Sequence, residues 1–324
     1  MQLPEGTATW TACVTVTGKF ITIQGAGIDK TTIVGGDYAP SSTRPTHRVF
    51  EITAKPGGLT RLTRLTIDGG TGAKDTYNKG MISLGGDSTT WRVDHLRVRA
   101  TRTCAMHVSA SGGVIDHNTF VLVGWIFGIY GFNGGGSYGD AAWAEATDLG
   151  TGNRAFFIED NVFETTERSF ALDGWKGQRV VVRHNTFKNA LIGNHGTESS
   201  GRLRGARSFE IYDNVIQYTG TNWPDAISFR SGTGVVFDNQ ITGNFKEAMR
   251  IDNYRWSQGR KKNDDDVGVK TADDQGRNPF RQPQYLLINF ALGGSWAGKI
   301  DDSVLPQKCL IDYLRMYQKQ DASP

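Results

Sequence analysis

VVRHNTF (181–187) is the stretch that decides how the chain reads, because four variants of it recur: VIDHNTF (114–120), FIEDNVF (157–163), EIYDNVI (210–216) and VVFDNQI (235–241). Each phrase alternates apolar and polar residues, reaches a polar pair ending in Asn, and resumes with an apolar residue. Alternation with period two marks a strand with one buried face, and it directs Ile115, Ile158, Val182, Ile211 and Val236 inward. WRVDHLRV (91–98) is a weaker copy with Leu96 at the Asn position. The marker Asn residues stand at 118, 161, 185, 214 and 239, so the steps are 43, 24, 29 and 25 residues. Steps of that shorter size suit one coil of a solenoid. The step of 43 is one coil with an insertion, or two coils of which one is degenerate. The expected fold class is all-β: a right-handed parallel β-helix.

Around the marker, Asn118, Asn161, Asn185, Asn214 and Asn239 are expected at a sharp corner, where Asn tolerates left-handed backbone and stacked amides bond from coil to coil. Their role is structural. The preceding residues, His117, Asp160, His184, Asp213 and Asp238, are expected in an outward column beside the turn. The first coils are less regular: 14–36 reads as two short strands around a Gly turn and 61–70 as another, after an incomplete helical cap.

Between markers lies a second strand, in AMHVSA (105–110), GIYGFN (128–133), FALDGW (170–175), LIGNHG (191–196), AISFRS (226–231) and AMRIDN (248–253). Met106, Leu172, Ile227, Phe229, Met249 and Ile251 are read as inward. The outward neighbours His107, Tyr130, Asp173, His195, Arg230, Arg250 and Asp252 then form one column. A core does not need acids, bases and aromatics on successive coils, so this column is the candidate binding face.

Composition is that of a soluble globular chain, with 38% hydrophobic and 21% charged residues, and its 41 Gly against 9 Pro suit frequent tight turns. A net charge of +3 is too small to point to nucleic acid. No apolar run reaches the roughly 20 residues of a membrane span. Cys13, Cys104 and Cys309 match no metal or redox spacing and read as incidental thiols. The opening MQLPEGTATW reads as loop and strand, and a removed leader is expected before it, which makes the protein secreted or cell-surface.

LPEGTATW (3–10) with FITIQGAGIDKTTIVGG (20–36) resembles the opening of pectate-lyase-like right-handed β-helix proteins, and with the Asn repeats the resemblance covers about 3–255. It implies a polysaccharide-cleaving or polysaccharide-binding solenoid. The calcium aspartates and Arg of pectate lyases and the paired Asp of polygalacturonases have no counterpart here. NPFRQPQYLLINFALGGSWAGKID (278–301) with LPQKCLIDYLRMYQ (305–318) is similar to the end of glycoside hydrolase family 16, the laminarinase-type β-glucanases. By that resemblance Asn289 and Trp296 lie near a glycan cleft, while the Glu-x-Asp-x-x-Glu strand of that family is absent. The expected organisation is a β-helix over 1–256, a polar linker over 257–277, and a segment 278–324 that is not an independent domain. That segment is expected to pack Tyr285–Leu292 and Leu310–Tyr317 on the solenoid as a short β extension, covering an open edge.

A solenoid flank suits a polymer, and polysaccharide or oligosaccharide is the expected partner of a monomer. Hydrolysis of a β-glucan or related glycan ranks first, because the tail points to neutral glucans. It needs two carboxyls flanking the bond: Asp173 with Glu198 or Asp225, with His195 as a further catalytic candidate. Asp252 is expected about three coils from Asp173, roughly 14 Å, which is too far. The alternative is β-elimination on a uronate glycan, in which a base takes the α proton and cations neutralise the carboxylate. HGTESSGRLRGAR (195–207) supplies His195, Arg202 and Arg204 for this. A third reading is a non-catalytic glycan-binding or structural surface protein. Substrate contacts are expected from His107, Tyr130, Trp175, Arg202, Arg204, Arg230, Arg250, Asp252 and Tyr254, with Tyr138 and Trp143 in a Gly-rich insertion. No metal or cofactor is expected, apart from Ca²⁺ as an option on the acidic run of the linker, whose spacing lacks the D-x-D-x-D-G…Glu pattern.

Overall fold

The computed structural model describes residues 1–35, 47–71, 80–86, 88–132, 155–175, 177–194, 205–222 and 224–251. The chain divides into two units, Met1–Thr271 and Ala272–Pro324. The second unit, the linker 257–277 and the expected packing of 278–324 lie outside the described residues.

In the first unit the chain winds as a parallel β-helix with three faces. Every strand pairing among the described residues is parallel, and each strand between the first and last described coils bonds to the strand one coil before and one coil after. The first face contains Met106–Val108, Ile129–Phe132, the end of Val162–Trp175, the end of Thr186–Gly193, Asp225–Phe229 and Glu247–Ile251. The second contains Val114–Asp116, Phe156–Glu159, Arg179–Arg183, Ser208–Tyr212 and Thr233–Phe237. The third holds Thr119–Leu122, the starts of the two long strands, Val215–Tyr218 and Gln240–Gly243.

Period-two alternation becomes columns of like residues along the solenoid. On the second face Ile23, Leu62, Val93, Ile115, Ile158, Val182, Ile211 and Val236 succeed one another in register. On the third, Phe120, Phe163 and Phe187 stack at 4.7 and 5.0 Å between ring centroids. Each such side chain, fully buried, contributes on the order of 2–3 kcal/mol of transfer free energy. The inward reading of Met106, Leu172, Ile227 and Phe229 holds, with Met249 partly buried against the core.

The Asn markers form one ladder. The main-chain N–H and Nδ2 of Asn118 both donate to Asn161 Oδ1 at 2.9 Å. Asn161 repeats this to Asn185, Asn185 to Asn214, and Asn214 to Asn239. Leu96 ends the ladder: its N–H donates to Asn118 Oδ1 at 2.9 Å, although it has no amide to pass on. Asn118 and Asn161 therefore occupy adjacent coils, and the step of 43 is one coil plus an insertion.

Three expectations need correction. The left-handed residue is the one before the Asn: His95, His117, Asp160, His184, Asp213 and Asp238 have φ between 50° and 57°. That turn aims the Asn side chain inward, where the ladder needs it, and leaves its predecessor exposed as the expected outward column. Residues 14–35 form three strands rather than two, Val14–Thr17, Thr22–Gln24 and Thr31–Gly35. At this end, among the described residues, Gly6–Trp10 lies as a strand against Thr31–Gly35, and no helical cap is present. Cys104 is buried and Cys13 half-buried, both as thiols. Burial is the main cause that pushes the Cys13 thiol up, and Arg48 opposes it.

Candidate functional site

The outward row of the first face is set by strand register. Ser83, His107, Tyr130 and Asp173 succeed one another coil by coil. Leu172 pairs with Ile192, which brings Gly193 beside Asp173, and Gly193 is followed by Ser228 and then Arg250. His107, Tyr130, Asp173 and Arg250 thus share the row as expected. Arg230 does not, since Ser228 takes that position and Arg230 lies two residues farther along its strand. Ser228 and Arg230 both alternate outward around the buried Ile227 and Phe229, and the pairing of Gly193 with Ser228 is what puts Ser228 in the row.

Arg230 nevertheless reaches the row. Its Nη2 lies 3.8 Å from Asp173 Oδ1, while its Nε donates to Asn194 O at 2.7 Å and its main-chain N–H to Asn194 Oδ1 at 2.8 Å. The Gly193 position between them carries no side chain, and a Cβ there would stand 2.9 Å from the Phe170 ring. Asp173 faces outward yet is 1% exposed, and its Oδ1 also accepts from the Gly174 N–H at 2.9 Å. A carboxylate so covered, with a guanidinium beside it, holds its geometry.

Asp225 is not brought to Asp173. It begins its strand in register with Glu247, and Arg250 Nη1 lies 3.6 Å from its Oδ2. It sits two coils from Asp173 and three residues back along the strand, on the order of 14 Å away at strand spacings of about 4.8 and 3.3 Å. Two carboxyls that flank a glycosidic bond stand within roughly 9.5 Å. His195, Glu198, Arg202, Arg204, Asp252 and Tyr254 lie outside the described residues, as do Tyr138, Trp143 and the side chain of Trp175, whose backbone pairs with Phe132.

Sequence reasoning overlooked the border of this row. The run VGWIFGIYGF (123–132) turns the corner into the first face and lays down aromatic rings. Trp125 is 54% exposed and meets Phe170 edge-on at 6.4 Å. Phe127 lies 6.0 Å from Phe170 and 5.7 Å from Tyr130, and Tyr130 lies 6.0 Å from His107. The Arg168 guanidinium sits 5.5 Å over the Trp125 ring, and its Nε is buried without a hydrogen-bond partner. The signal was present in the sequence as four aromatics in eight residues, but Trp125 and Phe127 precede the strand that the repeat singled out. The strip offers rings for the C–H faces of sugars, cations for carboxylates, and an imidazole beside a phenol for proton transfer.

Among the described residues no group of three or more His, Cys, Asp or Glu converges on a point where an ion would sit, and no helix is long and apolar enough to cross a membrane.

No known family profile matches the chain. Over 49 residues it is 39% identical to the clotting factor G alpha subunit of Tachypleus tridentatus, a match covering 15% of this chain and 7% of that protein. Over 42 residues it is 40% identical to a beta-glucanase of Rhodothermus marinus, covering 12% of this chain and 15% of that enzyme. The chain thus spans a small part of either relative. Among solved structures, an alginate lyase from Paenibacillus sp. str. FPU-7 aligns with 79% of this chain and 91% of its own, at 13% identity and a TM-score of 0.41.

Proposed function

We propose that this chain is a carbohydrate-active protein that cleaves a uronate-containing polysaccharide by β-elimination along its first face. The observation that carries the reading is the outward row His107–Tyr130–Asp173, bordered by Trp125, Phe127 and Phe170 and attended by Arg168 and Arg230. Rings and cations outnumber carboxylates there, and β-elimination needs that balance. A base, His107 or Tyr130, takes the proton from C5 of the uronate. The C5 electron pair forms the C4–C5 double bond, the C4–O4 bond breaks, and the other member of the pair protonates the departing oxygen. Arg230, held beside Asp173 one coil from Tyr130, neutralises the uronate carboxylate, which acidifies the C5 proton. Asp173 orients Arg230 in this scheme and is not itself the base.

Hydrolysis of a neutral β-glucan is the second reading, favoured by the short likeness to the beta-glucanase. It requires Glu198 to supply the carboxyl opposite Asp173. Both readings fit a secreted or cell-surface monomer that meets its polymer outside the cell.

Incubation with alginate, polygalacturonate and laminarin decides. Ultraviolet absorbance of an unsaturated product from a uronate polymer is the expected result. Reducing ends without that absorbance would replace elimination by hydrolysis. Retention on a polymer without any product would reduce the protein to a glycan binder.

A further inference from the structure

The second face carries chemistry that the proposed glycan site does not use. Asp94 and Asp116 are in register on adjacent coils, and both are buried. Arg61 donates to Asp94 from Nε and Nη2 at 2.6 Å each, and the Thr63 hydroxyl adds a bond at 2.9 Å. Arg92 donates to Asp116 at 2.7 and 2.5 Å. Each carboxylate is thus gripped by two nitrogens of one guanidinium, a charge-assisted pairing that holds it ionised.

An ionised carboxylate only accepts hydrogen bonds. Its neighbour His95 therefore donates from Nδ1 to Asp94 Oδ2, at 2.7 Å, and His117 donates from Nδ1 to Asp116 Oδ2 at the same distance. In the neutral ring this leaves the lone pair on Nε2. Both histidines occupy the left-handed corner, with φ of 50° and 53°. Their rings are half exposed and stack 5.1 Å apart, 5° from parallel.

An imidazole whose other nitrogen donates to a fixed carboxylate is the form in which His ligates metal ions. We propose that His95 and His117 jointly bind a borderline divalent ion of the Zn²⁺ type through their Nε2 atoms, with water completing the coordination. With centroids 5.1 Å apart and planes nearly parallel, the rings must tilt toward each other before bonds of about 2.0–2.1 Å reach one ion. Half-exposed rings pivoting on their Nδ1–carboxylate bonds would supply that tilt on binding. Asp160, exposed at the same corner one coil on, adds negative charge. With two protein ligands the site is an open one, unlike the closed four-ligand sites that hold structural zinc.

The third corner histidine marks the contrast. His184 lies 4.0 Å from Asp213, an exposed carboxylate, and turns edge-on to Tyr212. A solvated corner residue needs no buried Arg-held carboxylate behind it, and His184 has none.

The test is calorimetric titration of the whole chain with ZnCl₂, alongside His95→Asn, His117→Asn, the double variant and His184→Asn. Asn accepts the left-handed corner, so the fold is kept, and melting curves verify it. One saturable Zn²⁺ per chain is expected, weakened about tenfold or more by either single change. The double variant should abolish uptake, while His184→Asn should alter it by less than about twofold. Absence of saturable uptake in the unmodified chain would overturn the proposal. So would uptake that persists in the double variant, or uptake that disappears with His184→Asn. Imidazole Nε2 resonances of His95 and His117 that stay unshifted at saturation would overturn it as well.

Discussion

Asn185 donates to the same oxygen of Asn214 twice, from its main-chain N–H and from its Nδ2, at 3.0 Å each. One side-chain amide thereby joins two coils where the backbone turns too sharply for strand pairing. Asn185 Nδ2 also donates to Ile158 O and Arg183 O, and its Oδ1 accepts from both nitrogens of Asn161.

Asn185→Ala strands these buried groups together. At about 1–3 kcal/mol for each buried group left unpaired, the loss of stability should be roughly 3 kcal/mol or more. Asn239 ends the ladder and is only half-buried, so Asn239→Ala should cost about 1 kcal/mol. Urea unfolding of both variants measures the difference. Equal costs would mean that the ladder does not carry the corner.

The aromatic stack on the third face supports a second expectation. Phe163 is fully buried between Phe120 and Phe187. Phe163→Ala should destabilise by about 3–5 kcal/mol, because the rings on either side belong to rigid coils and cannot close the cavity. Phe163→Leu should recover more than half of that. Thermal melting of the two variants reads it directly.

The strand and corner pattern was legible because each phrase encodes one coil, and the inward columns follow from period two alone. Three things were not legible. The left-handed turn belongs to His117 or Asp160 rather than to the Asn, since both residue types tolerate it and only the ladder decides which side chain turns in. The row containing Asp173 depends on a register shift at Phe170–Leu172, and a shift of this kind leaves no residue signature. Trp125 and Arg168 meet across adjacent coils, 43 residues apart in sequence, so that no local motif contains both.

Acid should unpick the second face. The Asp94 carboxyl lies below its ordinary value of 3.8 in the folded chain. A depressed carboxylate contributes stability that is complete above the unfolded value and is lost as pH falls through the folded one. Stability should therefore decline below about pH 4 and continue to decline as Asp94 takes up its proton. Asp94→Asn should be less stable at neutral pH and flatter over that acid range. Chemical denaturation at stepped pH tests this, and parallel curves for the two proteins would remove Asp94 from the cause.

The proposed function gives Trp125 a contact with substrate and Asp173 the task of holding Arg230 in place, and the two roles predict different behaviour. Trp125 is largely exposed, so Trp125→Ala should leave the melting temperature nearly unchanged while raising KM on the polymer about tenfold, the loss of one ring stacked on a sugar at about 1.4 kcal/mol. Asp173→Asn should behave differently. It removes the charge beside Arg230 from a buried position, so a stability loss of roughly 1–3 kcal/mol should accompany the loss of turnover. If Asp173 acts only by orienting Arg230, Arg230→Lys should lower turnover about as much as Asp173→Asn, because a lysine cannot reproduce the fork that bonds Asn194 and faces the carboxylate together. Full turnover in Asp173→Asn, with stability reduced, would leave that carboxylate a structural role alone.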